Sequence, residues 1–342
     1  MQHNKKLRNM VLGGIAILSL IALGPREVLA GNRALFQLDG MDYMESELPS
    51  GSQLDLYEIE NEYYQKLDAF FDDVLFDLYL EEESKRLGKS KEEIKMERLS
   101  VPEPDQASVR AFYDNSDATD KPPYESVQGK ILRYLREVEI QKKWSALLTD
   151  YREKNNFELL LPRAIPPLVK IDTEGFPFKG DPQANITMVE FADYQCGHCK
   201  TAANAMERTL EHFPGKLKVV YMDYPINRSG ISRLVAQGAV CADEQGKFWP
   251  YHDLAYQRQD TLSKSSPIGL AKDVGLDLRE FTHCFQSQEA AEKVARSKAE
   301  AKRLHLSGTP VIFVNGKRIL LHHHMEEDLR QAVEKELAHL AK

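Results

Sequence analysis

Cysteine is scarce in this sequence: four occur in 342 residues, and between Gly31 and Ala164 there is neither a cysteine nor a histidine. That stretch offers no thiol nucleophile, no imidazole base and no Cys/His zinc site, so it reads as a helical scaffold rather than a catalyst. Positive charge is not in excess either. The formal net charge is −8, and −11 once residues 1–30, which carry +3, are set aside. Such a chain lacks the basic face that a phosphate backbone requires, which argues against nucleic acid as a partner. After residue 30 no apolar run approaches the roughly 20 residues that span a bilayer.

The N-terminus has the pattern of a secretory signal. Lys5, Lys6 and Arg8 precede an apolar run from Met10 to Gly24, and Val28-Leu29-Ala30 stand at the positions a signal peptidase reads. Residues 1–30 are therefore expected to direct the chain to the periplasm or another extracytoplasmic space. Arg26 and Glu27 crowd the cleavage position, which leaves an uncleaved anchor open.

The remaining 312 or so residues exceed what one core usually organises, so two domains are expected. Pro162, Pro166, Pro167, Pro177 and Pro182, with Gly175 and Gly180, mark a boundary between residues 31–164 and 165–342. Upstream, apolar residues recur at helical spacing from Leu54 to Leu87, including Tyr57, Ile59, Tyr63, Phe70, Val74 and Leu78. Ser90 and Glu93 form a capping-box pair that opens a short second helix. Residues 105–115 and 124–154 supply two more. Downstream, "ITMVEF", "KLKVVYMDY" and "TPVIFVNG" read as buried strands. A long helical stretch from about Ser229 to Leu306, broken near Gly246, Pro267, Gly275 and Ser287, separates the second strand from the third. A helix from Met325 to Leu340 closes the chain. This order indicates an α/β layer.

Two of the four cysteines fall in "VEFADYQCGHCK", where Cys196 and Cys199 follow the first strand and open a helix. Unpaired N–H groups and the dipole at a helix N-terminus favour an anion, so the exposed thiol there ionises readily. Thiolate is the form that attacks a disulfide, and a second cysteine one turn on can resolve the mixed disulfide. Cys196 is thus the expected nucleophile and Cys199 the resolving thiol, with His198 adding positive charge that favours the reduced pair. A zinc site would want a second ligand pair, whereas Cys241 and Cys284 are isolated within helices. His322, His323 and His324 are consecutive and cannot all face one ion from regular backbone. A structural Cys196–Cys199 bond would close a loop too small to constrain much chain. No cofactor beyond the redox-active pair is expected.

These residues resemble the thioredoxin-fold oxidoreductases of the bacterial envelope, DsbA-like in arrangement, across about residues 165–342. The resemblance implies an α/β thioredoxin fold with a helical insertion, preceded by a mostly α-helical N-terminal domain. It maps the family's cis-proline onto Pro310 in "SGTP", with Thr309 before it, facing the dithiol and shaping a peptide groove. It also places Glu190 as a buried acid beneath the pair, relaying the proton of Cys199. "VCADEQGKFWPYHD" and "FTHCFQ" are similar to segments where some relatives carry a second disulfide, which implies a Cys241–Cys284 bridge. Gly197 replaces the proline of the best-known member, and Thr309 looks more like the disulfide isomerase branch, so oxidation and isomerisation both remain open. The helices of residues 31–164 are similar to the N-terminal chaperone region of SurA-type proteins, which implies a cradle for unfolded chains or a homodimerisation module.

The resemblance makes the chain an extracytoplasmic thiol-disulfide oxidoreductase acting on cysteine pairs of secreted proteins, reset by a membrane redox partner. The alternatives are a disulfide isomerase with chaperone function, and a non-catalytic holdase or metal-binding envelope protein.

Overall fold

A computed structural model describes residues 33–115, 121–161, 164–321 and 324–341. The signal expected over residues 1–30, Pro162, and the pair His322–His323 lie outside the described residues.

Strand β1 (Ala34–Leu38) pairs antiparallel with β2 (Met41–Met44) through a two-residue turn, where Asp39 and Gly40 both take positive φ. Phe36 stacks on Tyr43 across this hairpin. It forms a compact unit of its own, ending at Leu48. Residues 34–44 lie within the region expected to be mostly helical, but the Asp39-Gly40 turn makes them a hairpin.

From Pro49 the chain forms a second unit. It begins with α1 (Ser50–Leu87), which Gly88 ends in the left-handed conformation that glycine adopts without a Cβ clash. The Ser90–Glu93 capping box opens α2 (Lys91–Arg98), each residue accepting from the other's backbone N–H. Helices α3 (Gln106–Asp114) and α4 (Tyr124–Lys154) follow. The far half of α1 packs with α2 and α4 around Leu75, Phe76, Leu80, Ile94 and Leu148.

The sheet that follows explains why its strands are apolar throughout. β4 (Ile186–Ala192) and β5 (Leu217–Asp223) lie parallel at its centre, joined by α5 (Gly197–His212). β6 (Val311–Val314) pairs antiparallel with β4, and β7 (Lys317–Ile319) with β6. A short β3 (Phe178–Gly180), which the sequence pattern did not reveal, adds to the other edge, giving the order β3-β5-β4-β6-β7.

Side chains alternate across this sheet. Ile186, Met188, Ile312 and Val314 face α5 and α11 (Met325–Leu340), whose Met206, Leu329 and Val333 cover them. Val189, Phe191, Val220 and Phe313 face the opposite way, onto Ala301 and Leu304 at the end of α10 (Gln288–Arg303) and onto Leu54 of α1. Leu54 is 1% exposed. Its burial there contributes about 2 kcal/mol, so the first turns of α1 form part of the third layer of the fold.

Between β5 and α10 stand four helices, α6 (Ile231–Glu244), α7 (Phe248–Gln257), α8 (Ser266–Asp273) and α9 (Leu278–Phe285), packed as an insertion around Tyr194, Tyr251 and Phe281. The breaks at Gly246, Gly275 and Ser287 separate them as expected, and Ser287 caps α10 through the Ala290 N–H. Pro267 differs: it sits in the first turn of α8, where its missing N–H leaves no bond unmade.

Candidate active site

β4 carries the chain to Asp193, whose buried carboxylate organises the following turn. One oxygen accepts from the Gln195 N–H at 2.7 Å, and the other from the N–H groups of Ile226 and Asn227 at 2.8 and 3.0 Å. The Ser232 hydroxyl donates to it as well. Gln259, from the insertion, donates to the carbonyls of Tyr194 and Cys196 at 2.8 and 2.9 Å. Neither residue was legible as part of the site, because each acts across 33 to 65 residues of chain. Together they set Cys196 at the N-cap of α5 and Cys199 in its first turn.

The two thiols, both free, occupy different surroundings. Cys196 is half-buried and lies at the solvent side, while Cys199 is sealed beneath it. The Cys199 thiol hydrogen-bonds to Cys196 and, against a desolvation cost, this bond with the Thr309 side chain and the backbone N–H groups of Cys199 and His198 brings Cys196 down to about 5. As a thiol, Cys196 donates to the Thr309 carbonyl at 3.2 Å. As a thiolate it gives up that bond, and the buried Thr309 Oγ1, otherwise unpartnered, becomes its donor. Burial pushes Cys199 far up, reinforced by its hydrogen bond to Cys196 and by Glu190. One thiol is therefore poised as thiolate and the other held as a proton donor.

Thr309 precedes Pro310 through a cis peptide bond. Both border a groove of about 620 Å³ that His198 also lines. The His198 imidazole is exposed, and its contribution to Cys196 comes through the backbone N–H. Glu190 is fully buried in β4, with neither carboxyl oxygen partnered within the protein. Burial first, and then the negative charge of Cys196, hold it well above the usual carboxylate range, which favours its protonated form. It lines a separate cavity of about 390 Å³ between α5 and α7, whose outer wall includes Lys179, Glu207 and Asp253. Cys241 of α6 and Cys284 of α9 are bonded, with their Cα atoms 5.7 Å apart. Among the described residues no group of three or more His, Cys, Asp or Glu side chains could hold a metal ion.

A thioredoxin-type sheet, a Cys-X-X-Cys pair opening the helix after β4, and a proline loop against the outer sulfur are the features of a thioredoxin fold, here with a helical insertion. In agreement, residues 172–335 match the family model described as thioredoxin.

The sequence is 31% identical over 159 residues, 46% of this chain, to the Na(+)/H(+) antiporter NhaA of Herminiimonas arsenicoxydans, of which it spans 25%. It is 31% identical over 152 residues, 44% of the chain, to Na(+)/H(+) antiporter NhaA 3 of Salinispora tropica, spanning 23% of it. The chain thus spans about a quarter of the length of these curated relatives. Among the described residues no helix is long and apolar enough to cross a membrane. Similar solved structures include a thioredoxin-like oxidoreductase from Silicibacter pomeroyi DSS-3, at 27% identity and TM-score 0.43, covering 48% of this chain and 94% of that one. BdbD from Bacillus subtilis, in its oxidised form, aligns at 22% identity and TM-score 0.46, covering 51% and 98%.

Proposed function

We propose that this chain forms disulfides in secreted proteins outside the cytoplasm, using Cys196-Gly197-His198-Cys199 as its redox centre. The observation that carries the reading is the asymmetry of the pair: Cys196 ionises at about 5 while Cys199 holds its proton. A stabilised thiolate favours the reduced dithiol and makes the corresponding disulfide oxidising.

In the oxidised protein a substrate thiolate attacks Cys196 Sγ. A substrate–Cys196 bond forms, the Cys196–Cys199 bond breaks, and Cys199 leaves as a thiolate that takes the proton of Glu190. A second substrate thiolate then attacks the substrate sulfur, which closes the substrate disulfide and releases Cys196 as a stabilised thiolate. Two electrons have passed from substrate to enzyme, and a membrane redox partner removes them to reset the pair. Thr309 and Pro310 shape the groove that receives the substrate. The Cys241–Cys284 bond serves as a structural clamp of a kind that persists outside the cytosol. The periplasmic location is read from the signal-like N-terminus.

A second reading, disulfide isomerisation with substrate retention, is favoured by one observation: Ile59, Tyr63, Phe70 and Leu78 of α1 are exposed on one helix face. Such a face suits an unfolded chain, consistent with a SurA-like helical half, or a second copy of the protein.

In the test, Cys199→Ala protein is expected to accumulate reducible covalent adducts with cysteine-containing proteins, whereas Cys196→Ala accumulates none. Wild-type protein should also accelerate insulin reduction by dithiothreitol. Adducts on Cys196→Ala alone would reverse the two roles, and no acceleration together with no adducts would leave a binding protein.

A further inference from the structure

We propose that α1, which lies outside the thioredoxin-family segment, walls the substrate groove, and that its Asn61 and Gln65 select an extended polypeptide over a small dithiol. The inference rests on the redox reading of the site and adds its specificity.

The helix is held in place by four contacts over two turns. Leu54 is buried against the sheet. Gly51 has no room for a side chain: a Cβ there would come within 2.5 Å of the His305 ring and 2.8 Å of the Arg303 carbonyl oxygen. Asp55 Oδ2 lies 2.7 Å from His305 Nδ1, and Glu58 pairs with the largely buried Arg318 of β7. One turn further, Asn61 and Gln65 reach the groove that Thr309, Pro310 and His198 border from the other side.

Two properties of this wall point to a polypeptide. Among the described residues the side-chain amides of Asn61 and Gln65 have no hydrogen-bond partner in the protein. An amide presents a donor and an acceptor together, which matches the N–H and C=O of a peptide backbone without demanding a charge. The groove between wall and dithiol is also lined by Ile319, Leu320, Leu321 and Met325, a surface suited to an apolar side chain beside the substrate cysteine. An extended segment lying from Pro310 toward α1 would meet the reactive sulfur, the apolar surface and the two amides. A small dithiol would meet the sulfur alone.

The experiment compares full-length, oxidised wild-type protein with Asn61→Ala/Gln65→Ala. Alanine suits a helix and both positions are at least partly exposed, so circular dichroism and Tm should match wild type. Oxidation of a reduced two-cysteine peptide with leucine beside one cysteine should slow about tenfold, as expected for the loss of one or two net hydrogen bonds. Oxidation of dithiothreitol should be unchanged. Equal loss on both reductants, or none on the peptide, overturns the inference while the redox reading stands. A wild-type protein that oxidises neither reductant overturns the redox reading, and the inference with it.

Discussion

Three residues apart on one helical turn, Cys196 and Cys199 are held in opposite protonation states at neutral pH. Cys196 lies far below its ordinary value of 9.0. Its depressed folded-state value stabilises the reduced protein fully above pH 9.0, less between 9.0 and about 5, and not at all once pH falls through about 5. Thr309→Val removes a hydroxyl donor at little cost in volume. The ultraviolet titration of the Cys196 thiolate should then move up by about one unit, and the reduced variant should lose stability at neutral pH while the oxidised one does not. An unmoved titration would mean that the hydroxyl takes no part in holding the anion. The dithiol was legible in the sequence because spacing, a preceding strand and a following helix all sit within a dozen residues. Asp193 and Gln259 were not, since an aspartate and a glutamine carry no pattern until distant loops meet.

At the scale of elements, periodicity identified α1 but not which of its faces would be covered. Leu54, Tyr57, Tyr64, Leu75, Phe76 and Leu80 are buried, whereas Ile59 and Tyr63, read in the same apolar series, are 65% and 64% exposed. The covering partners, α4 and α10, come later in the chain, so local sequence cannot assign the faces. β3 escaped notice because three residues with a lysine at the centre give no alternation to read. The insertion was legible as a string of helices, and its clamp can be tested. Cys241→Ala/Cys284→Ala opens a loop spanning 43 residues, which should cost about 4 kcal/mol and lower Tm by roughly 10 °C. Calorimetry of the variant, and of wild type after full reduction, should agree. A Tm within a degree of wild type would assign the bridge no role in stability.

For the whole molecule, a buried carboxylate that does not line the groove sets part of the response to pH. Asp223, at the end of β5, has an oxygen without a partner and lies in the electrostatic reach of Tyr194 and Tyr251, whose buried hydroxyls are also unpartnered. Burial raises it from 3.8 to about 7 against the pull of Lys293. A carboxyl raised in the folded state contributes stability that is complete below 3.8 and is lost as pH rises through about 7. Asp223→Asn removes that titration. The stability of wild type relative to the variant should therefore fall between pH 4 and about 7, by a few kcal/mol on the order-of-magnitude scale of linkage, and stay level above. Chemical denaturation across pH gives the comparison, and parallel curves would rule the contribution out.

The position of Leu54 bears on how the protein can be cut. A recombinant fragment limited to the family segment would begin more than a hundred residues after the side chain that fills the space beside Val189, Phe191 and Leu304. Truncating a buried leucine even to alanine commonly costs 2–5 kcal/mol, and deletion removes the whole helix that delivers it. Low activity in such a fragment would report a hole in its core as much as a missing recognition surface.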